Sequence, residues 1–131
     1  MDNETKQRKI LIVDDSTIAR FSIRKMLLDR NYIIEEAVNG VLAINKIEAF
    51  KPDLIIMDYL MPEMNGLIAL KIIRGKGINT PVVIISANQQ DATKLKFQEL
   101  NIVGMIKKHP DKRELITLMD NILENDIGGT I

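Results

Sequence analysis

Short apolar runs recur along the chain, and each ends in a polar residue. Ile10-Leu11-Ile12-Val13 stops at Asp14-Asp15, and Leu54-Ile55-Ile56-Met57 stops at Asp58. Val82-Val83-Ile84-Ile85 stops at Ser86, and a fifth stretch, Ile102 to Lys107, leads into Lys108. Unbroken runs of this length, rich in β-branched residues, predict strands buried on both faces. Tyr32-Ile33-Ile34-Glu35-Glu36-Ala37 reads as a further strand, and its two acids predict a sheet edge.

The segments between the runs carry helix signals. Ser16 is placed to cap a helix in which Ile18, Phe21, Met26 and Leu28 mix with Arg20, Arg24 and Lys25, and Asn31 breaks it. Asn39-Gly40 opens a second helix that runs to Phe50 and stops before Pro52. A third spans about 65–74 and ends at Gly75-Lys76-Gly77. Residues 89–99 form a polar, helix-compatible segment, and Asp111 starts a last helix through Leu118, Met119, Ile122 and Leu123. Five strands alternating with five helices predict an α/β fold: one parallel sheet with helices on both faces. The polar residues 1–8 and the tail 126–131 read as flexible, leaving one domain over 9–125.

Composition narrows the class. A chain of 131 residues, 46% hydrophobic and 27% charged, is long enough to bury a core. Lys+Arg and Asp+Glu are both 18, so the zero net charge argues against a global grip on nucleic acid. With no cysteine there are no disulfides or thiolate ligands, and one histidine, His109, cannot build a multi-histidine metal site. No apolar run approaches membrane-spanning length, and the polar N-terminus has no secretion-signal core, which predicts a cytoplasmic protein.

A parallel sheet brings all strand carboxyl ends to one edge, where ligands bind in open α/β sheets. Asp14, Asp15, Asp58, Ser86 and Lys108 can therefore converge. Three neighbouring carboxylates call for a cation, and a hard divalent ion such as Mg²⁺ suits oxygen ligands. A carboxylate can also act as a nucleophile toward phosphorus, with positive charge neutralising the phosphoryl oxygens. The bland alternatives are a helix-capping Asp14-Asp15 pair, a solvated turn acid at 58 and a commonplace serine at 86. Strand alternation puts Ile106 and Lys108 on one face and Met105 and Lys107 on the other. Met61 and Met64 read as loop packing, and Lys94, Lys96, Lys107, Lys112 and Arg113 as a solvated face.

ILIVDDS at 10–16, DLIIMDYLMPEMNG at 53–66, PVVIISA at 81–87 and Lys108 before a final helix resemble the receiver domain of two-component response regulators, close to the stand-alone chemotaxis type. The resemblance covers roughly 9–124. It implies a flavodoxin-like (βα)5 sheet in the order 2-1-3-4-5, with Asp58 as phosphoacceptor. It also implies Mg²⁺, or Mn²⁺ in its place, held by Asp15 directly, Asp14 mostly through water, Asp58 and the Leu60 backbone carbonyl. Ser86 fills the switch hydroxyl position and Lys108 the lysine position, in preference to Lys107. The implied partners are a sensor histidine kinase or histidine phosphotransfer protein, a downstream target protein and a phosphatase. No direct nucleic acid binding or membrane insertion is implied. The domain would promote only its own Mg²⁺-dependent phosphorylation and dephosphorylation, and would otherwise not be an enzyme. A phosphorelay intermediate and a receiver-like scaffold that takes no phosphate are the alternatives within this class.

Two positions depart from the family pattern. His109 follows Lys108 where a proline in a cis bond is usual, with Pro110 one residue later. A cis bond costs about 3–4 kcal/mol before a non-proline residue against about 0.5–1 before proline, which predicts a trans Lys108–His109 bond and a surface role for His109. Met105 stands where Tyr or Phe is frequent, so coupling from Ser86 to the distal face is expected to be weaker or differently built. Other classes fit less well. A phosphatase with an aspartyl intermediate would want Asp-x-Asp on the first strand and an insertion to cover its substrate. A flavin carrier would want a Ser/Thr/Gly-rich first loop and stacking aromatics, whereas the loop is DDST, aromatic content is 4% and there is no Trp.

Overall fold

The apolar runs become the centre of the sheet. The computed structural model describes residues 7–87 and 91–128. Its strands are β1 (Lys9–Val13), β2 (Ile33–Ala37), β3 (Leu54–Asp58), β4 (Val82–Ser86) and β5 (Gly104–Lys107). All neighbours pair in parallel, in the order β2-β1-β3-β4-β5. The acid-bearing β2 lies on an edge, as its Glu35 and Glu36 predict. Every residue of β3 and β4 is buried.

The helices are α1 (Thr17–Met26), α2 (Gly40–Phe50), α3 (Gly66–Gly75), α4 (Asp91–Gln98) and α5 (Lys112–Gly128). Side-chain alternation splits the core into two layers. Ile10, Ile12, Leu54, Ile56, Val83, Ile85 and Ile106 face Ile23 of α1, Leu27 just after it, and Leu115, Met119 and Leu123 of α5. Leu11, Val13, Ile55, Met57, Val82 and Ile84 face Ala43 and Ile47 of α2, Leu70 and Ile73 of α3 and Phe97 of α4. Four helices start on side-chain caps: Ser16 accepts from the Ala19 amide, Asn39 from Leu42, Asn65 from Ile68 and Asp111 from Glu114. Among the described residues no helix is long and apolar enough to cross a membrane.

Ile18, Phe21 and Leu28, apolar members of the first helical segment, are 80%, 62% and 72% exposed, while Ala19, Arg20 and Ile23 of α1 are buried. Apolar periodicity misreads this helix because an arginine occupies its buried face. Helix α5 continues to Gly128 and so takes in 126–128 of the segment read as a tail. At the other end, residues 1–6 lie outside the described set, whereas Gln7 donates to Asn31 and Arg8 to the Leu123 carbonyl.

Lys51 ends α2 in the left-handed region, with φ 53° and its amide on the Ile47 carbonyl. An exposed side chain gains nothing from that conformation, and glycine adopts it without a Cβ clash. Lys51→Gly is expected to raise stability by about 0.5–1 kcal/mol in urea denaturation, with an unchanged m-value.

Candidate functional site

At the carboxyl edge of the sheet, β1 delivers Asp14, β3 Asp58 and β4 Ser86, all buried, with exposures of 2%, 3% and 1%. Asp15, one residue on, is exposed. One carboxylate oxygen from each of Asp14, Asp15 and Asp58 lies within 4.8 Å of the others. Adjacency of β1 and β3 produces this: the pair Val13 and Met57 is in register, so the residues that follow emerge side by side.

Lys108 supplies the counter-charge. Its Nζ donates to Asp58 Oδ2 at 3.1 Å and lies 3.4 Å from Asp14 Oδ2. Its amide donates to the Ser86 carbonyl, which ties the end of β5 to the end of β4. Lys107 is exposed, as the alternation of β5 predicts. The Lys108–His109 bond is cis, which corrects the expected trans bond. That expectation weighed the isolated bond, whereas Lys108 is fixed here by its amide on Ser86 and its ammonium on two acids. His109 itself is exposed, as expected.

The remaining geometry comes from the loop after Asp58. The Tyr59 amide donates to the Ile85 carbonyl, and the Gly66 amide donates back to the Tyr59 carbonyl at 2.7 Å. A Cβ on Gly66 would lie 2.7 Å from the Asp58 carbonyl oxygen and 3.2 Å from Tyr59 Cα, so only glycine lets α3 start this close to β3. Met61 is buried and Met64 packs on the core, which fits the loop-packing reading. Leu60 is 61% exposed, in the same loop.

Electrostatics follow from this crowding. Burial pushes the Asp58 carboxyl above its ordinary value, the Asp14 charge adds to this, and the hydrogen bond from Lys108 opposes it. For Lys108 burial works against the charged form, but the Asp58 hydrogen bond and the Asp14 charge outweigh it and raise its pKa. Three clustered carboxylates, only two of them in contact with the Lys108 ammonium, fit a divalent cation such as Mg²⁺.

The chain is similar to known proteins in both sequence and fold. The family model for the response regulator receiver domain matches residues 10–120. The chain belongs to the response regulator receiver family. This receiver is 35% identical over 122 residues to the transcriptional regulatory protein YdfI of Bacillus subtilis, covering 91% of the chain and 56% of that protein. It is 37% identical over 86 residues to chemotaxis protein CheY of Thermotoga maritima, covering 65% and 72%. The receiver domain of Francisella response regulator 1452 superposes with a TM-score of 0.83 at 29% identity, covering 92% of this chain and 99% of that one. The chain thus spans about half the length of YdfI. The family is a signalling one, and the flavodoxin-like fold with order 2-1-3-4-5 stands as expected.

Sequence reasoning missed Arg20 and Glu36. Arg20 is 8% exposed, donates from Nε to Glu36 Oε1 at 2.7 Å and from a terminal nitrogen to the Asp14 carbonyl at 2.7 Å. A charged residue at a position every helical pattern reads as polar gives no signal until the fold is known. Tyr59 was missed too: its ring meets Phe97 of α4 edge-on, with centroids 5.4 Å apart.

Gly66→Ala should cost about 2–3 kcal/mol in denaturant unfolding, because the added methyl meets backbone rather than a movable side chain. Asp58→Asn should stabilise the protein at neutral pH. A carboxyl with a raised folded pKa is over-protonated in the folded state, so its ionisation lowers stability as pH rises through that interval. The gain in thermal midpoint over wild type should be full above the folded pKa of Asp58. It should vanish as pH falls below the ordinary carboxyl value of about 3.9.

Proposed function

We propose that this receiver accepts a phosphoryl group on Asp58 from the phosphohistidine of a sensor histidine kinase or histidine phosphotransfer protein. A carboxylate oxygen of Asp58 attacks phosphorus, the O–P bond forms, and the N–P bond to imidazole breaks, leaving the histidine to be protonated. The observation that carries this reading is the shared contact of the Lys108 ammonium with Asp58 and Asp14, beside the three-carboxylate cluster. An ammonium at the nucleophile neutralises the charge that arrives with the phosphoryl oxygens.

Asp14, Asp15, Asp58 and the Leu60 backbone carbonyl would hold Mg²⁺, or Mn²⁺ in its place. Bound there, the ion supplies further neutralisation of phosphoryl charge. Asp58 is the nucleophile because it is the buried acid at the end of the central strand, with Lys108 at hydrogen-bonding distance. Ser86, buried at the end of the adjacent strand, is the hydroxyl that would donate to the phosphoryl group once formed. The dianionic group then shifts an existing equilibrium toward a form that binds a downstream protein.

Incubation with Mg²⁺ and a small acyl-phosphate donor, followed by intact mass measurement, tests this. Wild type should gain one phosphoryl mass only with Mg²⁺ present, Asp58→Asn should gain none, and Lys108→Ala should label far more slowly. Unlabelled wild type would leave the receiver as a non-phosphorylated scaffold.

A further inference from the structure

The interior of α1 holds a charged residue that the phosphotransfer chemistry leaves unexplained. Arg20 sits on the buried face of the helix with its guanidinium spread over three acceptors. Nε bonds to Glu36 Oε1 and one terminal nitrogen to the Asp14 carbonyl, each at 2.7 Å, and the other reaches Thr17 Oγ1 at 3.3 Å. The Asp14 bond is fully buried. Charge-assisted bonds this short from a planar fork fix direction as well as distance.

The carbonyl that Arg20 holds belongs to the peptide group joining Asp14 to Asp15. The peptide on the other side of Asp14 is held as well, its amide donating to the Ala37 carbonyl at 3.1 Å. Both grips come from the end of β2, directly through Ala37 and through Glu36 by way of Arg20. Asp14 also has side-chain anchors, with Oδ1 accepting from the Ser16 amide and Oδ2 near Lys108. Asp15 has none: its carboxylate is exposed and, among the described residues, has no hydrogen-bond partner. Its place in the carboxylate cluster therefore depends on its backbone, which Arg20 holds at the Asp14 carbonyl on one side and the Ser16 amide on Asp14 Oδ1 holds on the other.

We propose that Arg20, oriented by Glu36, is a positioning residue for the metal ligands: it fixes the Asp14–Asp15 peptide so that the Asp15 carboxylate meets the cation with Asp14 and Asp58. This rests on the reading of the cluster as a Mg²⁺ site. The competing role is a plain staple between α1 and β2. Arg24 provides the comparison, because it bonds the same Glu36 through Oε2 at 2.7 Å and the Ile34 carbonyl, without touching Asp14.

Calorimetric titration of Mg²⁺ into wild type, Arg20→Met, Arg20→Lys and Arg24→Met at fixed ionic strength decides between the roles, alongside thermal midpoints measured in chelator. Loss of an outer partner that orients metal ligands typically weakens binding 10–100-fold. Arg20→Met should raise the Mg²⁺ Kd by roughly tenfold or more. Arg24→Met should change it less than about twofold even where its midpoint falls as far. Arg20→Lys keeps the charge but cannot serve Glu36 and the carbonyl together, so it should stay weak. Arg20→Met within twofold of wild type, or Arg24→Met weakened equally, would overturn the positioning role. If Arg20→Met does not fold, wild-type affinity in Arg20→Lys overturns it instead. Wild type that binds no Mg²⁺ would overturn the metal reading itself, and the positioning role with it.

Discussion

Two buried carboxylates, Asp14 and Asp58, share one ammonium, and much of the carboxyl edge of the sheet is arranged around that sharing. Like charges at the ends of adjacent strands repel strongly where water is excluded. Lys108 relieves part of this from just beyond the edge strand β5, across the end of β4, where Ser86 lies. Parallel neighbours are spaced about 4.8 Å apart, so β5 lies roughly two spacings from β3. A lysine stem can bridge that gap from a loop tied back to β4, and a shorter basic side chain could not. Its own raised pKa means this stabilisation holds below the ordinary lysine value and is lost as pH rises through the folded one.

Most of this was legible in the sequence because burial on both faces leaves a plain record. Runs such as LIIM and VVII, short and rich in β-branched residues between turn signals, read as central strands, and in a parallel sheet the polar residues at their ends meet at one edge. Asp14, Asp15, Asp58 and Lys108 come together as that logic requires, and period-two alternation separates Lys108 from Lys107 correctly. The helices were less legible. A strand in a covered sheet must be apolar throughout, whereas a helix shows one stripe and can fill it with anything that is paired.

In α1, Ile18 and Phe21 advertise a core face that lies on the opposite side. The true inner face carries Arg20, acceptable there because Glu36, Asp14 and Thr17 satisfy its donors. Glu36 announced an edge strand by its charge, which was right, yet its carboxylate is occupied by two arginines, whose hydrogen bonds hold it below the usual range despite the opposing effect of burial. The same limit applied to the Lys108–His109 bond, where a local cost was weighed without the three contacts that hold Lys108.

The edge-on contact of Tyr59 with Phe97 gives the protein a built-in optical reporter. There is no tryptophan, and of the two tyrosines one follows Asp58 directly. An aromatic ring locked against another in a chiral setting dominates near-ultraviolet circular dichroism when so few chromophores compete. Tyr32 lies at the start of the opposite edge strand, far along the sheet from β5. A change in the packing of the loop after Asp58 that moved this ring against Phe97 would therefore register in unlabelled protein.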